Sequence, residues 1–118
     1  MLNIPHTAKV YFSVSTVDFR KQIKGLKKWI QNEMKLNPFS NAYFLFLSRN
    51  RKAIKILHFD GQGMCLYWKV LSVGKFKKWQ KLHDASQEYV SLRPTEGQVM
   101  LMNGNSHQLK IPQNWKEI

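Results

Sequence analysis

Residues 42–47 read Ala-Tyr-Phe-Leu-Phe-Leu, an unbroken apolar run of strand length. A run this short fits a β-strand, and its lack of alternation is typical of a strand covered on both faces. We therefore predict a buried strand at this position.

Two further strands are predicted after this run. Residues 54–59 and 64–71 are rich in β-branched and aromatic side chains, which favour strands. The connection 48–52 (Ser-Arg-Asn-Arg-Lys) is a polar, basic turn, and residues 60–63 (Asp-Gly-Gln-Gly) are typical of a hairpin turn. These spacings predict an antiparallel meander between about residues 42 and 79.

A basic amphipathic helix is predicted between residues 18 and 36, after a short strand at residues 10–14. Ser15 or Thr16 offers the N-cap, with Asp18 in the first turn, and Asn37-Pro38 ends the helix. Apolar residues recur at spacings of three and four: Phe19, Ile23, Leu26, Ile30 and Met34. Basic residues occupy roughly the opposite arc: Arg20, Lys24, Lys27, Lys28 and Lys35.

The last third of the chain is less regular. Residues 89–92 fit a short strand, and Pro94 fits the first turn of a second helix that continues to Gly104 with Gly97 inside it. Residues 107–111 fit a final strand. We predict a single domain over residues 1–118, with its core at about 10–79. Its fold class is α+β: an antiparallel meander of three to five strands packed against the basic helix, with a short C-terminal helix.

Charge is the strongest compositional signal. Nineteen Lys and Arg against seven Asp and Glu give +12, and almost all of the excess lies between residues 18 and 83. A polyanion is the natural partner of such a surface. One cysteine, no signal-peptide pattern and no apolar run long enough to span a membrane predict a cytoplasmic protein without membrane contact.

Five collinear blocks between residues 10 and 79 resemble the small TnpB-type accessory proteins of the insertion-sequence-sixty-six transposon family. The first is Asp-Phe-Arg-Lys-Gln-Ile-Lys-Gly-Leu at 18–26, and others include Asn-Pro-Phe-Ser at 37–40 and Asp-Gly-Gln-Gly-Met-Cys-Leu at 60–66. The residues that carry the motif are Asp18, Gly25, Pro38, Phe39, Ser40, Asp60, Gly61, Gly63, Cys65 and Leu66. The chain departs from the family after Phe76, where Lys-Lys-Trp-Gln stands in place of a Trp-Pro pair.

The resemblance implies a role in moving an insertion sequence beside a larger partner transposase that cleaves and joins the strands. It implies no mechanism for the small protein itself.

The residues give no support to catalysis. Two-metal strand transfer needs converging carboxylates, whereas Asp18 fits a helix start, Asp60 a turn and Glu33 a solvated helix position. Cys65 fits a small core residue of an aromatic strand, and the four histidines are scattered. We therefore predict that the protein is no enzyme and has no metal site or cofactor.

Nucleic-acid binding has the best physical basis, and DNA is the expected nucleic acid. The candidate contacts form two groups, one on the helix and one in the basic turn: Arg20, Lys21, Lys24 and Lys28, then Arg49, Arg51, Lys52 and Lys55. Aromatic residues lie among the basic ones at 67–69 and 76–79, as in sites that stack unpaired bases, although strand aromatics are more often core. Two alternatives stay open: an ordinary solvated basic helix face, and an adaptor that docks on the transposase with little DNA affinity.

Overall fold

The computed structural model of the chain describes residues 2–76 and 87–102. These residues form five strands and two helices. In chain order they are β1 (Val10–Ser13), α1 (Ile23–Asn32), β2 (Tyr43–Leu47), β3 (Ala53–Phe59), β4 (Met64–Val70), β5 (Tyr89–Leu92) and α2 (Pro94–Met102). The predicted α+β class is confirmed, with α1 packed on the sheet and a short C-terminal helix α2. Within the described residues, neither helix is long and apolar enough to cross a membrane.

The five strands form one sheet in the order β4-β3-β2-β1-β5. The meander β2-β3-β4 is antiparallel throughout, as predicted. The sheet is nevertheless mixed, because β1 pairs parallel to β2. The physical reason is the connection: α1 carries the chain back to the end of the sheet where β1 began, so β2 runs in the same direction as β1. The strand β5 then pairs antiparallel to β1.

The central strand β2 is covered on both faces, which explains its unbroken apolar run. On one face Phe44 and Phe46 lie in a cluster with Leu26 and Ile30 of α1. On the other face Leu45 and Leu47 lie in a second cluster. The second cluster also contains residues from α2 and from outside the regular elements: Ile4, Phe76, Met100 and Leu101.

The helix α1 is shorter than predicted at both ends. It begins at Ile23 with Gln22 as N-cap, so the predicted N-cap at Ser15 or Thr16 was wrong. Residues 18–21 form a turn instead, in which the Asp18 Oδ1 atom accepts the Arg20 backbone N–H at 2.9 Å. At the other end the helix stops at Asn32, before the predicted end at Asn37-Pro38, and Lys35 takes the left-handed conformation with φ of 60°.

The helix α2 begins as predicted. Pro94 occupies its first turn, and the Glu96 Oε1 atom accepts the Arg93 backbone N–H at 2.8 Å, which is half of a capping box. That bond also holds the pKa of Glu96 below its usual value. The strand predicted at residues 107–111 lies outside the described residues, as do residues 77–79 of the predicted meander and the predicted helix end at Gly104.

Candidate nucleic-acid interface

The turn between β2 and β3 is a compact hydrogen-bonded loop that exposes cations. The Ser48 Oγ atom accepts the Ala53 backbone N–H at 3.1 Å, and the Asn50 Oδ1 atom accepts that of Lys52 at 3.0 Å. Arg49 and Lys52 are exposed. Arg51 is half-buried, and its φ of 60° places it in the left-handed region that favours glycine. The turn therefore presents its positive charges on a fixed backbone.

The segment that leads into α1 lies directly beside this turn. Val17 and Ser48 form a parallel bridge, and the Val17 backbone N–H donates to the Leu47 carbonyl at 3.2 Å. The two segments line a shallow cleft of about 230 Å³. Arg20, the first residue of the helix group, thus follows a segment that lies beside the basic turn, which comes about 30 residues later in the sequence.

Asp18 fixes the first cation of the helix group. Its Oδ2 atom accepts the Nε–H of Arg20 at 2.8 Å. This hydrogen bond, the backbone bond to Arg20 and the nearby positive charge of Arg49 hold the pKa of Asp18 well below its usual range. The Asp18 carboxylate therefore stays ionised and orients Arg20, whose side chain remains 91% exposed.

The helix α1 extends the charge away from the turn. Lys24 and Lys28 are exposed. The ammonium of the half-buried Lys21 lies 6.0 Å from the centre of the Trp29 ring, and Trp29 donates its indole N–H to the Ser13 Oγ atom at 3.0 Å. The first turn of α1 contains no acidic residue, and its N-cap Gln22 makes no side-chain cap. Its N–H donors add positive potential at the end where the cations gather.

Lys55 does not belong to this exposed set. Its side chain is fully buried, and its ammonium donates to the carbonyls of Phe19 at 2.9 Å and Lys21 at 2.8 Å. It lies 4.4 Å from the centre of the Trp68 ring. Burial lowers the pKa of Lys55, while the two carbonyls and the ring favour its charged form. Lys55 anchors the segment before α1 to the sheet, and we leave it out of the candidate interface.

Lys75 is an exposed cation of this surface that the sequence patterns did not indicate. The Phe76 backbone N–H donates to the Arg51 carbonyl at 2.7 Å, and that of Leu71 donates to Lys52 at 2.8 Å. These bonds hold residues 71–76 against the turn, so that the exposed Lys75 joins it. The β3-β4 register, read from the hairpin, was the signal that could have placed it. We call the resulting set the basic surface: Arg20, Lys21, Lys24, Lys28, Arg49, Arg51, Lys52 and Lys75.

The family-motif residues at 60–66 build the opposite end of the β3-β4 hairpin. The Asp60 Oδ1 atom accepts the backbone N–H groups of Gln62 and Gly63, both at 2.8 Å, and these bonds lower the pKa of Asp60. Gly61 has a φ of 96°. Cys65 is exposed, with its Sγ atom 3.6 Å from the Asp60 Oδ2 atom. The expectation that Cys65 is a core residue was therefore wrong, because it lies on the edge strand of the sheet.

The remaining motif residues shape α1 and the approach to β2. A Cβ atom on Gly25 would lie 3.1 Å from the Lys21 Cβ atom, so glycine lets Lys21 lie close to the helix. Pro38 is buried. The neighbouring Phe39 is 48% exposed and packs edge-on against Phe59 at 5.2 Å between ring centres. These positions are structural and lie apart from the turn. The other two, the exposed Ser40 and the half-buried Leu66, likewise lie outside the basic surface.

The other two carboxylates that the structure describes are Glu88 and Glu33. Glu88 accepts the Ser15 hydroxyl at 2.9 Å, and Glu33 is exposed at the end of α1. Within residues 2–76 and 87–102, no three His, Cys, Asp or Glu side chains come together in a way that could hold a metal ion.

Comparison with known proteins identifies the family. A family described as "IS66 Orf2 like protein" matches residues 8–110. The chain belongs to this family. The resemblance inferred from the motifs is therefore confirmed.

Two curated relatives come from Sinorhizobium fredii (strain NBRC 101917 / NGR234). The uncharacterized protein y4hO is 33% identical over 76 residues, which are 64% of this chain and 66% of the relative. The uncharacterized protein y4jC is 28% identical over 68 residues, 58% of each chain. The matches thus cover 66% of one relative and 58% of the other, less than two thirds of each. No solved structure matches the chain.

Proposed function

We propose that this chain is a non-catalytic accessory protein of insertion-sequence transposition that binds nucleic acid, in particular DNA, through the basic surface. Family membership supplies the transposition context. The observation that supports the binding proposal is the parallel bridge between Val17 and Ser48, which holds the segment before Arg20 beside the basic turn.

The physical case rests on charge and on its placement. DNA carries a condensed layer of counterions, and each phosphate neutralised by Lys or Arg releases some of them, which favours binding. The acidic turn residue Asp60 lies at the other end of β3 from the basic turn. Asp18, the acid within the basic surface, is paired with Arg20. A phosphate backbone would therefore meet little repulsion along this surface.

The non-catalytic part rests on what the carboxylates do. Asp18 orients Arg20, Asp60 closes a hairpin turn and Glu96 caps α2. Each of these acids has a structural partner, and divalent-metal strand transfer would instead need such groups to converge.

The binding proposal is tested by titrating a fluorescent DNA duplex with the protein over a series of salt concentrations. The affinity should fall linearly on a logarithmic plot against salt. Replacing Lys24, Lys28 or Lys52 with Ala should flatten that slope by about 0.9 each, because each substitution removes one phosphate contact. The loss should be similar for all duplex sequences, since phosphate contacts carry no base information.

Lys9→Ala is the matched control. Lys9 is exposed and precedes β1, at the end of the sheet opposite the basic turn, and its replacement removes the same unit of charge. Its slope should equal that of the unmodified protein. Equal effects at Lys9 and Lys52 would mean that only total charge matters and would discard the proposed surface.

A second candidate function is an adaptor that docks on the partner transposase. The observation in its favour is the outer side of α2, where Val99 is 50% exposed and Met102 is 59% exposed. Exposed apolar side chains on one helix are typical of protein-interaction sites. If the outer side of α2 docks on the transposase, Val99→Ser should weaken co-purification with the transposase. The same substitution should leave the salt-dependent DNA titration unchanged.

A further inference from the structure

The largest exposed apolar side chain within the described residues lies beside the basic surface. Trp68 is 53% exposed on β4, the edge strand of the sheet. An indole ring offers a large, rigid apolar face, and such rings beside cations are a common feature of sites that stack nucleobases. The neighbours of Trp68 indicate what kind of ligand it fits.

The Trp68 ring is held in place from within the protein. The Lys55 ammonium lies 4.4 Å from the ring centre, and the Phe19 ring packs edge-on at 6.4 Å between centres. Lys55 is itself fixed by the Phe19 and Lys21 carbonyls. The indole therefore has one supported side and one side open to solvent. A ring that is already ordered loses little conformational entropy when a ligand stacks on it.

Cations flank the ring on both sides along the chain. Phe19, which touches Trp68, directly precedes Arg20 and Lys21. On the strand side, Val70 pairs with Ala53, and the following Leu71 donates its backbone N–H to the Lys52 carbonyl at 2.8 Å. The exposed indole thus contacts the residue before Arg20, and its strand leads directly to the backbone of the basic turn.

We propose that Trp68 is a stacking site for an unpaired nucleobase, and that the nucleic acid on the basic surface is single-stranded at this point. The proposal rests on the proposed function, because the cations must first hold the phosphate backbone. An aromatic ring beside a positive groove is the common composition of single-strand sites. Base faces inside a duplex are already stacked on one another, so only an unpaired base offers its face to Trp68.

The test compares a thymidine single strand with a duplex of the same length, each fluorescently labelled, at one salt concentration. Trp68→Leu keeps an apolar side chain over Lys55 but removes the aromatic ring. It should weaken single-strand binding about tenfold or more and leave duplex binding within about twofold. Trp68→Phe keeps a ring and should retain most of the single-strand affinity. Thermal unfolding followed by circular dichroism checks that both variants remain folded.

Two controls separate stacking from other effects. Val70→Ala removes an exposed apolar side chain from the same face of β4 and should change neither affinity. An abasic strand keeps the phosphates without the bases, so on it the affinities of Trp68→Leu and the unmodified protein should agree.

The outcomes distinguish the two proposals. Suppose that both nucleic acids bind in a salt-dependent way. If Trp68→Leu then leaves both affinities unchanged, or lowers them equally, base stacking is overturned and the basic surface stands. If neither the single strand nor the duplex binds in a salt-dependent way, the proposed function is overturned, and base stacking with it.

Discussion

At the scale of single residues, Arg51 combines a strained backbone conformation with a cationic side chain in the basic turn. Its φ of 60° lies in a region that costs an L-residue about 1 kcal/mol or more. Strain of this kind persists where the surrounding structure fixes it, and it often coincides with a functional position. The backbone conformation of residue 51 favours glycine, so the arginine is explained by its side chain, which we propose contacts a phosphate.

Arg51→Gly should therefore lower DNA affinity without lowering stability. We expect the free energy of unfolding to stay the same or rise by up to about 1 kcal/mol, because glycine adopts positive φ without strain. We expect DNA affinity to fall, because a phosphate contact is lost. Urea unfolding and the duplex titration measure the two effects.

Arg49→Gly is the matched control in the same turn. The backbone of Arg49 is not in the left-handed region, so glycine there only adds freedom to the unfolded chain and should lower stability by about 0.5–1 kcal/mol. If Arg51→Gly destabilised the protein as much as Arg49→Gly does, the account of strain at Arg51 would be refuted.

At the scale of elements, the close approach of α2 to the sheet depends on one glycine. A Cβ atom on Gly97 would lie 3.0 Å from the Val10 Cγ1 atom and 3.3 Å from the Ile4 Cδ1 atom. Val10 is fully buried in β1 and has little room to move. The glycine that weakens the helix by its own propensity is thus the residue that lets the helix pack.

Gly97→Ala should destabilise the protein by up to about 2 kcal/mol, because overpacking of about 1–3 kcal/mol is only partly offset by a gain of about 1 kcal/mol in helix propensity. Chemical denaturation measures the change. In a Val10→Ala background the same substitution should cost much less, since the facing methyl groups are gone. A Gly97→Ala protein that is more stable than the parent would show that β1 yields to the added methyl.

At the scale of the whole molecule, acid should weaken the fold through several carboxylates together. The pKa values of Asp18, Asp60 and Glu96 all lie below their usual values, because each accepts backbone or side-chain hydrogen bonds in its ionised form. Their stabilising contribution is complete above about pH 4–4.5, the range of the unfolded chain, and is lost as the pH falls towards the lower folded values. The growing net positive charge acts in the same direction.

Asp60→Asn tests this account of acid sensitivity. Asparagine keeps an acceptor oxygen for the Gln62 and Gly63 N–H groups but does not titrate. Urea unfolding between about pH 6 and 2.5 should show a shallower loss of stability for Asp60→Asn than for the parent, because Asp60→Asn lacks the contribution of the ionised carboxylate near pH 6 and approaches the parent at low pH. Asp60→Ala, which loses the acceptor, should be weaker at every pH. If the free energy of unfolding fell equally steeply with pH for Asp60→Asn and the parent, Asp60 would not contribute to the acid sensitivity.

Local patterns predicted the elements whose partners are near in sequence. The meander from β2 to β4 followed from apolar runs and short turns, and α2 followed from Pro94. The direction of β1 did not follow, because it depends on where a long crossover returns the chain. The start of α1 was missed because Phe19 continues the apolar spacing, while the bonds from Lys55 to the Phe19 and Lys21 carbonyls hold this segment in a turn.

The candidate surface was predicted in part for the same reason. Arg49 and Lys52 are exposed because a polar turn between two strands faces solvent. Lys55 was included among the candidate contacts because a lysine within a strand usually faces solvent. At that point, however, β3 is covered on both of its faces. Lys75 was missed because only the hairpin register brings it beside Arg51.

The pairing of β1 with β5 has a consequence for the newly made chain. Strand β1 leaves the ribosome early and β5 late, with residues 10–13 paired to residues 89–92. Until Tyr89 emerges, a nascent chain that has already assembled β1 to β4 carries β1 as an open edge with unpaired N–H and C=O groups. Such edges are templates for another chain, so the interval before β5 docks is the period in which aggregation on crowded polysomes is most favoured.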